Sequence, residues 1–146
     1  MSMTLVRGSA PHDVPVAPPD SPWDSWSWQH PVGRAVSGAV GIGALAAAGV
    51  LGGPLTFSFW VGLLAPDAPF FIPRRSAEAP EPGVLHTEAI ELYNALHNIE
   101  GPVLALLLGA LTGNRPLLVG GLGWLAHLGL DRALGFGLRR SDGHIH

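Results

Sequence analysis

Residues 116–138 read PLLVGGLGWLAHLGLDRALGFGL, and this stretch decides the fold. It is apolar except for three ionisable side chains, His127, Asp131 and Arg132. Its length is close to the about 20 residues that a membrane-spanning helix needs. Ionisable side chains are costly inside a bilayer and are candidates for function by default. The stretch therefore predicts a transmembrane helix that carries part of a functional site.

Three further apolar segments precede it, separated by turns rich in glycine and proline. The four predicted spans are residues 35–51, 55–72, 92–111 and 116–138. Only 13% of the 146 residues are charged and 47% are hydrophobic, whereas soluble domains have about 25% charged residues. We therefore predict an all-α fold, a four-transmembrane-helix bundle over residues 33–140. A disordered tail rich in Pro and Trp over residues 1–32 and a short tail over 141–146 complete the predicted domains.

The charge pattern orients the predicted bundle. With the N-terminal tail in the cytoplasm, only Arg115 falls outside, which is the positive-inside pattern. The arginines on the cytoplasmic side are then Arg7, Arg34, Arg74, Arg75, Arg139 and Arg140. A net charge of −3 offers no electrostatic footprint for nucleic acid, and the absence of Cys excludes disulfides and thiolate ligands. The expected partner is the lipid bilayer, and small-residue helix faces would allow a homo-oligomer.

Four ionisable residues from three predicted helices fall at one depth, and we call Asp67, His97, His127 and Asp131 the Asp/His cluster. Asp67 and His97 lie within about two turns of the cytoplasmic ends of their helices, and the other two lie two to three turns from theirs. His127 and Asp131 are four residues apart and share a helix face. We therefore predict that the cluster forms in the cytoplasmic half of the bundle.

The cluster is the predicted metal site. Two imidazoles and two carboxylates suit a divalent Zn, Mn or Fe ion better than Ca, which prefers oxygen ligands alone. In a catalytic site the metal keeps one position for water and lowers the pKa of that water, and a nearby carboxylate can act as base. Glu100 and Glu91 are the candidates for that base, and Asn94, which shares a helix face with His97, is a further catalytic candidate. Gly101-Pro102 predicts a kink in the third helix that frees a carbonyl near His97.

Three other interpretations stay open. The Asp/His cluster, together with Arg132, could be a polar network that only docks the helices, as in a non-enzymatic structural or interaction protein. It could line a path for protons or ions. His97 and His127 could be the axial ligands of a haem, although two adjacent carboxylates suit haem iron poorly.

Three motifs carry a resemblance to a known family. They are Pro-Asp at 66–67, Tyr-Asn-x-x-His at 93–97, and Trp-Leu-Ala-His-x-Gly-x-Asp-Arg-x-Leu-Gly-x-Gly-Leu at 124–138. From about residue 34 onwards the chain resembles an uncharacterised family of small bacterial four-helix integral membrane proteins, catalogued as a domain of unknown function. The order of the motifs is also distantly similar to the membrane-bound metal-dependent hydrolases and the zinc-dependent phospholipase C type.

The resemblance implies a multi-pass protein of the bacterial cytoplasmic (inner) membrane, and the arginine pattern places both termini in the cytoplasm. It also implies a metal-dependent hydrolase of a membrane or phosphate-containing substrate, with the Asp/His cluster as ligands. Fold-level analogy alone does not establish that activity.

Overall fold

The computed structural model describes residues 27–73 and 84–145. The helices within these ranges are α1 Pro31–Val50, α2 Phe57–Leu64, α3 Thr87–Leu96, α4 Glu100–Thr112 and α5 Arg115–Leu134. The described residues form no strand beyond an isolated bridge between Arg139 and Ile145, so the predicted all-α class is confirmed. Most of the predicted N-terminal tail and the arginines at 7, 74 and 75 lie outside the described residues.

The central helix is α5, which packs against α1, α2 and α4. Its glycines allow close approach, because a Cβ at Gly129 would lie 2.7 Å from backbone atoms of Gly41 in α1. A Cβ at Gly123 would lie 2.5 Å from the carbonyl oxygen of Phe59 in α2. Small residues let helix backbones approach in this way. The glycines of α5 thus determine how closely its neighbours surround the segment that carries the site.

The described arginines lie at opposite ends of α5. A Cβ at Gly135, which ends α5, would lie 2.9 Å from the Arg34 guanidinium carbon at the start of α1. The arginines at 139–140 follow shortly after Gly135. At the other end, Arg115 donates a hydrogen bond to the Leu51 carbonyl. Arg115 therefore lies at the opposite end of the bundle from Arg34, and the membrane topology stays a prediction.

The second predicted span, residues 55–72, is not one continuous helix. α2 has eight residues, and 3-10 turns continue the chain over Ala65–Phe71. Pro66 and Pro69 lack the backbone N–H that an α-helix needs, so the regular hydrogen bonding stops there. The eight residues of α2 rise about 12 Å, less than the about 30 Å hydrocarbon core of a bilayer, and the 3-10 segment continues directly from them. Asp67 lies in this 3-10 segment.

The third predicted span, residues 92–111, is interrupted as well. α3 ends at Leu96 and α4 begins at Glu100, close to the predicted kink. By length and apolar composition, two stretches of the described chain could cross a membrane, Pro31–Val50 and Thr87–Thr112. α5 has 20 residues but is not among them, because glycines and ionisable side chains interrupt its apolar pattern. The predicted bundle of four spans is therefore not confirmed.

Candidate metal centre

The Asp/His cluster assembles at one point. One ligand atom from each of its four residues lies within 4.8 Å of the others. Asp67 comes from the 3-10 segment after α2, and His97 is the residue that caps the C-terminus of α3. His127 and Asp131 come from successive turns of α5. Three separate segments thus bring together the four residues that the sequence places at one depth.

Asp131 lies between the two histidines. Its Oδ2 atom is 3.4 Å from Nε2 of His97 and 3.4 Å from Nε2 of His127, while Asp67 Oδ1 is 3.7 Å from Nε2 of His127. Well-formed N–H···O hydrogen bonds are shorter, about 2.7–3.2 Å. Zinc binds His nitrogen at about 2.0–2.1 Å, and tetrahedral ligands at that bond length are about 3.4 Å apart. The spacing therefore fits ligands around one small cation, and it also fits long ion pairs between the two histidines and the carboxylates.

The hydrogen bonding of His97 fixes which of its nitrogens faces the cluster. Nδ1 donates to the Tyr93 carbonyl at 2.9 Å, so in the neutral ring the lone pair lies on Nε2. Nε2 of His97 and Nε2 of His127 are both buried without a hydrogen-bond partner. Buried polar atoms are nearly always paired, and an unpaired one is costly. In the neutral ring, the Nε2 lone pair of His97 faces the Asp131 carboxylate, and neither group can donate a proton to the other. A bound cation would satisfy both groups. The donor set therefore fits a divalent metal.

Burial of the cluster is uneven. The side chains of His97 and His127 are 3% and 10% exposed, that of Asp131 is 23% exposed, and that of Asp67 is 45% exposed. The histidines thus form the closed wall of the site, and the side of Asp67 is open.

Aromatic packing holds His97 in place. Its ring stacks on Tyr93, with ring centroids 3.7 Å apart and planes 17° apart. Phe70, from the segment that carries Asp67, meets Tyr93 edge-on at 5.6 Å. Tyr93 is 2% exposed, so this packing is in the protein interior. Tyr93 therefore orients His97 twice, through its ring and through its carbonyl.

Side chains of α5 contact the backbone carbonyl groups at the break between α3 and α4. Trp124 Nε1 donates to the Leu96 carbonyl at 2.7 Å, and Arg132 Nη2 lies 3.4 Å from the His97 carbonyl oxygen. Gly101 leaves room for the indole, since a Cβ there would overlap the Trp124 ring. α5 thus supplies donors to the Leu96 and His97 carbonyls, and the kink predicted at Gly101-Pro102 stays a prediction.

The catalytic candidates Glu100 and Asn94 lie outside the group of ligand atoms. Glu100 is exposed at the first residue of α4, where its backbone N–H donates to Asn98 Oδ1 at 3.1 Å. Asn94 contacts the C-terminal segment instead, because its side chain donates to the Arg139 carbonyl at 2.8 Å and accepts from the Arg139 N–H at 2.7 Å. Catalytic roles for both residues stay predictions.

Sequence reasoning missed the support that the C-terminal segment gives to the site. Arg139 is 7% exposed, and its guanidinium carbon lies 5.3 Å from the centroid of the Tyr93 ring. Arg139 also donates to the Gly143 carbonyl at 3.1 Å, which closes the segment into a turn. In the same turn, the His144 backbone N–H donates to Asp142 and holds the pKa of that carboxyl below its ordinary value. Nothing in the sequence near Arg139 indicated that this side chain is buried. The four-residue spacing of Tyr93 and His97 did indicate that these two residues share a helix face.

Comparison with known proteins gives a family-model match for part of the chain. Residues 85–146 match the family model described as Domain of unknown function (DUF4260). The match includes α3, α4, α5 and three members of the Asp/His cluster, and Asp67 precedes it. No curated protein and no solved structure matches the chain. The comparisons thus support the resemblance to an uncharacterised domain, and the hydrolase similarity stays a prediction.

Proposed function

We propose that this chain is an integral membrane protein in which the Asp/His cluster holds one divalent metal ion. The observation that carries the metal proposal is the pair of buried Nε2 atoms, which have no hydrogen-bond partner and lie beside two carboxylates. Neutral imidazole and carboxylate ligands in equal number favour Zn, with Mn and Fe as the other candidates. Such an ion would also cancel the charge of the two aspartates.

Exposed apolar surface supports the membrane part of the proposal. Large hydrophobic side chains are exposed along α1, α2 and α4, and the most exposed include Val50, Leu55, Phe57, Phe71 and Leu111. Exposed apolar surface beyond scattered single residues marks a membrane or protein contact. In the apolar windows of Pro31–Val50 and Thr87–Thr112, 22% and 17% of the residues are buried, so neither is a fully covered core helix. We expect lipid to cover these faces.

Elemental analysis tests the metal. Wild-type protein purified in detergent, without chelator or metal-affinity tag, should contain about one Zn, Mn or Fe ion per chain. His127→Ala and Asp131→Ala should both lose it, while His144→Ala, which changes an exposed histidine of the C-terminal turn, should keep it. Folded wild-type protein without metal would instead favour the network that only docks helices. In that case the two cluster variants should lower thermal stability and do nothing else.

Cysteine labelling tests the membrane crossing. The chain has no Cys, so single substitutions at exposed positions report cleanly. Thr112→Cys and Ser141→Cys lie on the two sides of α5. If α5 spans the inner membrane with the C-terminus inside, a membrane-impermeant maleimide should label intact cells only at position 112. Labelling of both variants, or recovery of the protein in the soluble fraction, would contradict the proposal.

A second candidate function is a metal-dependent hydrolase, and the open side of the site at Asp67 favours it. A bound metal supplies Lewis-acid polarisation and a water of lowered pKa. The chain itself would orient His97 through Tyr93 and admit substrate past Asp67. Glu100 is the residue that we propose as base. Metal-loaded protein should then hydrolyse phosphoester or lipid substrates, and Glu100→Gln should slow hydrolysis without changing metal content. Normal turnover in Glu100→Gln would remove that role.

A further inference from the structure

The C-terminal segment, residues 135–145, packs back against the stretches of chain that precede α1 and α3. The backbone N–H of Leu85 donates to the Gly143 carbonyl at 3.1 Å. Gly137 leaves room for the Trp28 ring, since a Cβ there would lie 2.5 Å from ring atoms. None of the four residues of the Asp/His cluster belongs to this segment or makes these contacts. The segment is therefore held by residues that are not candidate metal ligands.

The C-terminal segment places one buried cation, Arg139, over the Tyr93 ring. The Asn94 side chain pairs with both the N–H and the carbonyl of Arg139, which fixes the backbone from which the side chain extends. The guanidinium carbon of Arg139 lies 5.3 Å from the centroid of the Tyr93 ring, and the same ring stacks on His97 with centroids 3.7 Å apart. A cation over an aromatic ring is attractive, and more so away from water. One ring thus connects the segment to a member of the cluster.

The neighbouring arginine shows that this placement is specific to one position. Arg139 is 7% exposed, whereas the side chain of Arg140 is 61% exposed and lies 3.7 Å from the Asp142 carboxylate. Removing a guanidinium from water is costly, so burial of Arg139 requires contacts that offset this cost. The Tyr93 ring and the Gly143 carbonyl provide two such contacts. Because these contacts work in both directions, Arg139 also restrains the Tyr93 ring.

The position of His97 depends on this restraint. His97 follows the last residue of α3, and its ring is held by the Tyr93 ring and by the Tyr93 carbonyl. Metal–ligand distances tolerate about 0.2 Å, and groups that orient a ligand change metal affinity about 10–100-fold. We infer that Arg139 is a positioning residue of the metal site, and that the C-terminal segment raises metal affinity although it supplies no ligand. This inference rests on the proposed metal site and adds a determinant of its affinity outside the cluster.

Zinc titration of Arg139 variants tests the inference on the full chain in detergent, by competition with a chelator of known affinity. Arg139→Met keeps an apolar side chain of similar length but removes the charge, and zinc affinity should fall about tenfold. Arg139→Lys should lose less, because it keeps a cation for the ring. The matched control is Arg140→Met, which removes an exposed arginine from the same segment and should bind zinc like the wild type. The visible absorption spectrum of the cobalt-loaded protein should change in Arg139→Met alone of these two methionine variants, since it reports the arrangement of ligands.

A glycine variant tests the segment without changing Arg139. Gly143 has a φ of +86°, and a Cβ there would overlap the Leu85 carbonyl oxygen, so Gly143→Ala should displace the segment and lower zinc affinity as well. The control is Gly113→Ala, which has a similar φ of +65° at the end of α4 and meets nothing within 4 Å. It should lose stability but bind zinc normally.

The outcomes separate the inference from the proposed function. If wild type, Arg139→Met and Gly143→Ala bind zinc with equal affinity and give one cobalt spectrum, the inference is wrong and the metal site stands, whatever the unfolding temperatures are. A loss of zinc affinity in Gly113→Ala equal to that in Gly143→Ala would also overturn it, because strain anywhere in the chain would then have the same effect. Wild-type protein that binds no metal would refute the proposed function and this inference together.

Discussion

Close packing of α2 on α5 holds Asp67 beside the residues of α5, and Gly123→Ala tests this relation. The new Cβ would lie 2.5 Å from the Phe59 carbonyl oxygen and 3.1 Å from the Leu63 nitrogen, whereas ordinary contacts begin at 3.4 Å. The two backbones would have to separate by about 0.9 Å, since both obstructing atoms belong to the main chain. Overpacking of this kind costs about 1–3 kcal/mol.

The same movement should weaken metal binding. Metal–ligand distances tolerate about 0.2 Å, so a shift of about 0.9 Å between α2 and α5 moves Asp67 out of bonding range of an ion held by His127 and Asp131. We expect the metal affinity of Gly123→Ala to fall at least tenfold, measured by competition with a chelator of known affinity. The unfolding temperature in detergent should fall by several degrees, as expected for about 1–3 kcal/mol in a chain of this size.

Two other glycines provide matched controls. Gly129→Ala places a Cβ 2.7 Å from backbone atoms of Gly41, so it should destabilise the protein to a similar degree, but it separates α5 from α1, which carries no ligand. Gly43→Ala meets nothing within 4 Å and should leave both stability and metal binding unchanged or slightly improved. Equal loss of metal in Gly129→Ala and Gly123→Ala would refute the link between the α2–α5 contact and the site.

Three further predictions concern two hydrogen bonds at the site and the stabilising effect of the proposed metal. Trp124→Phe removes the hydrogen bond to the Leu96 carbonyl and should cost about 0.5–1.5 kcal/mol of stability in thermal unfolding, whereas Trp60→Phe, whose indole bonds an exposed carbonyl, should cost less. Asn94→Ala removes both hydrogen bonds to the Arg139 backbone, so limited proteolysis should cut the C-terminal turn faster, and an unchanged cleavage rate would show that the turn is held in another way. Chelator treatment should lower the unfolding temperature of the wild type, because it removes the stabilisation that the bound metal provides. A ligand at 100 times its dissociation constant stabilises the folded state by about 2.7 kcal/mol. An unchanged unfolding temperature would indicate that the protein holds no metal.

The helical class and the membership of the Asp/His cluster could be predicted from sequence because both depend on local periodicity and depth. The i, i+4 spacing of His127 and Asp131 fixes their common face, whereas Asp67 and His97 reach it from a 3-10 segment and a helix end that the predicted continuous spans did not include. Continuity of the second span could not be judged from apolarity alone. The prolines at 66 and 69 carried the signal that this helix ends early.

The surroundings of the site depend on contacts between distant parts of the chain. Arg139 comes to lie over Tyr93 because Asn94 binds its backbone 45 residues away in sequence. No periodicity in a single sequence reports such a pairing. The charge of Arg132 was visible from the start, but its lack of a carboxylate partner within the described residues emerged only once the folded neighbours were known.

The backbone is irregular at two of the four cluster residues, because Asp67 lies in a 3-10 segment and His97 lies at the end of α3. Backbone groups that such an interruption frees need other hydrogen-bond partners when they are buried. Here Trp124 and Arg132 meet the carbonyls that the interruption of α3 frees. Two α5 side chains thus meet the irregular backbone beside His97, which supports the metal site that we propose.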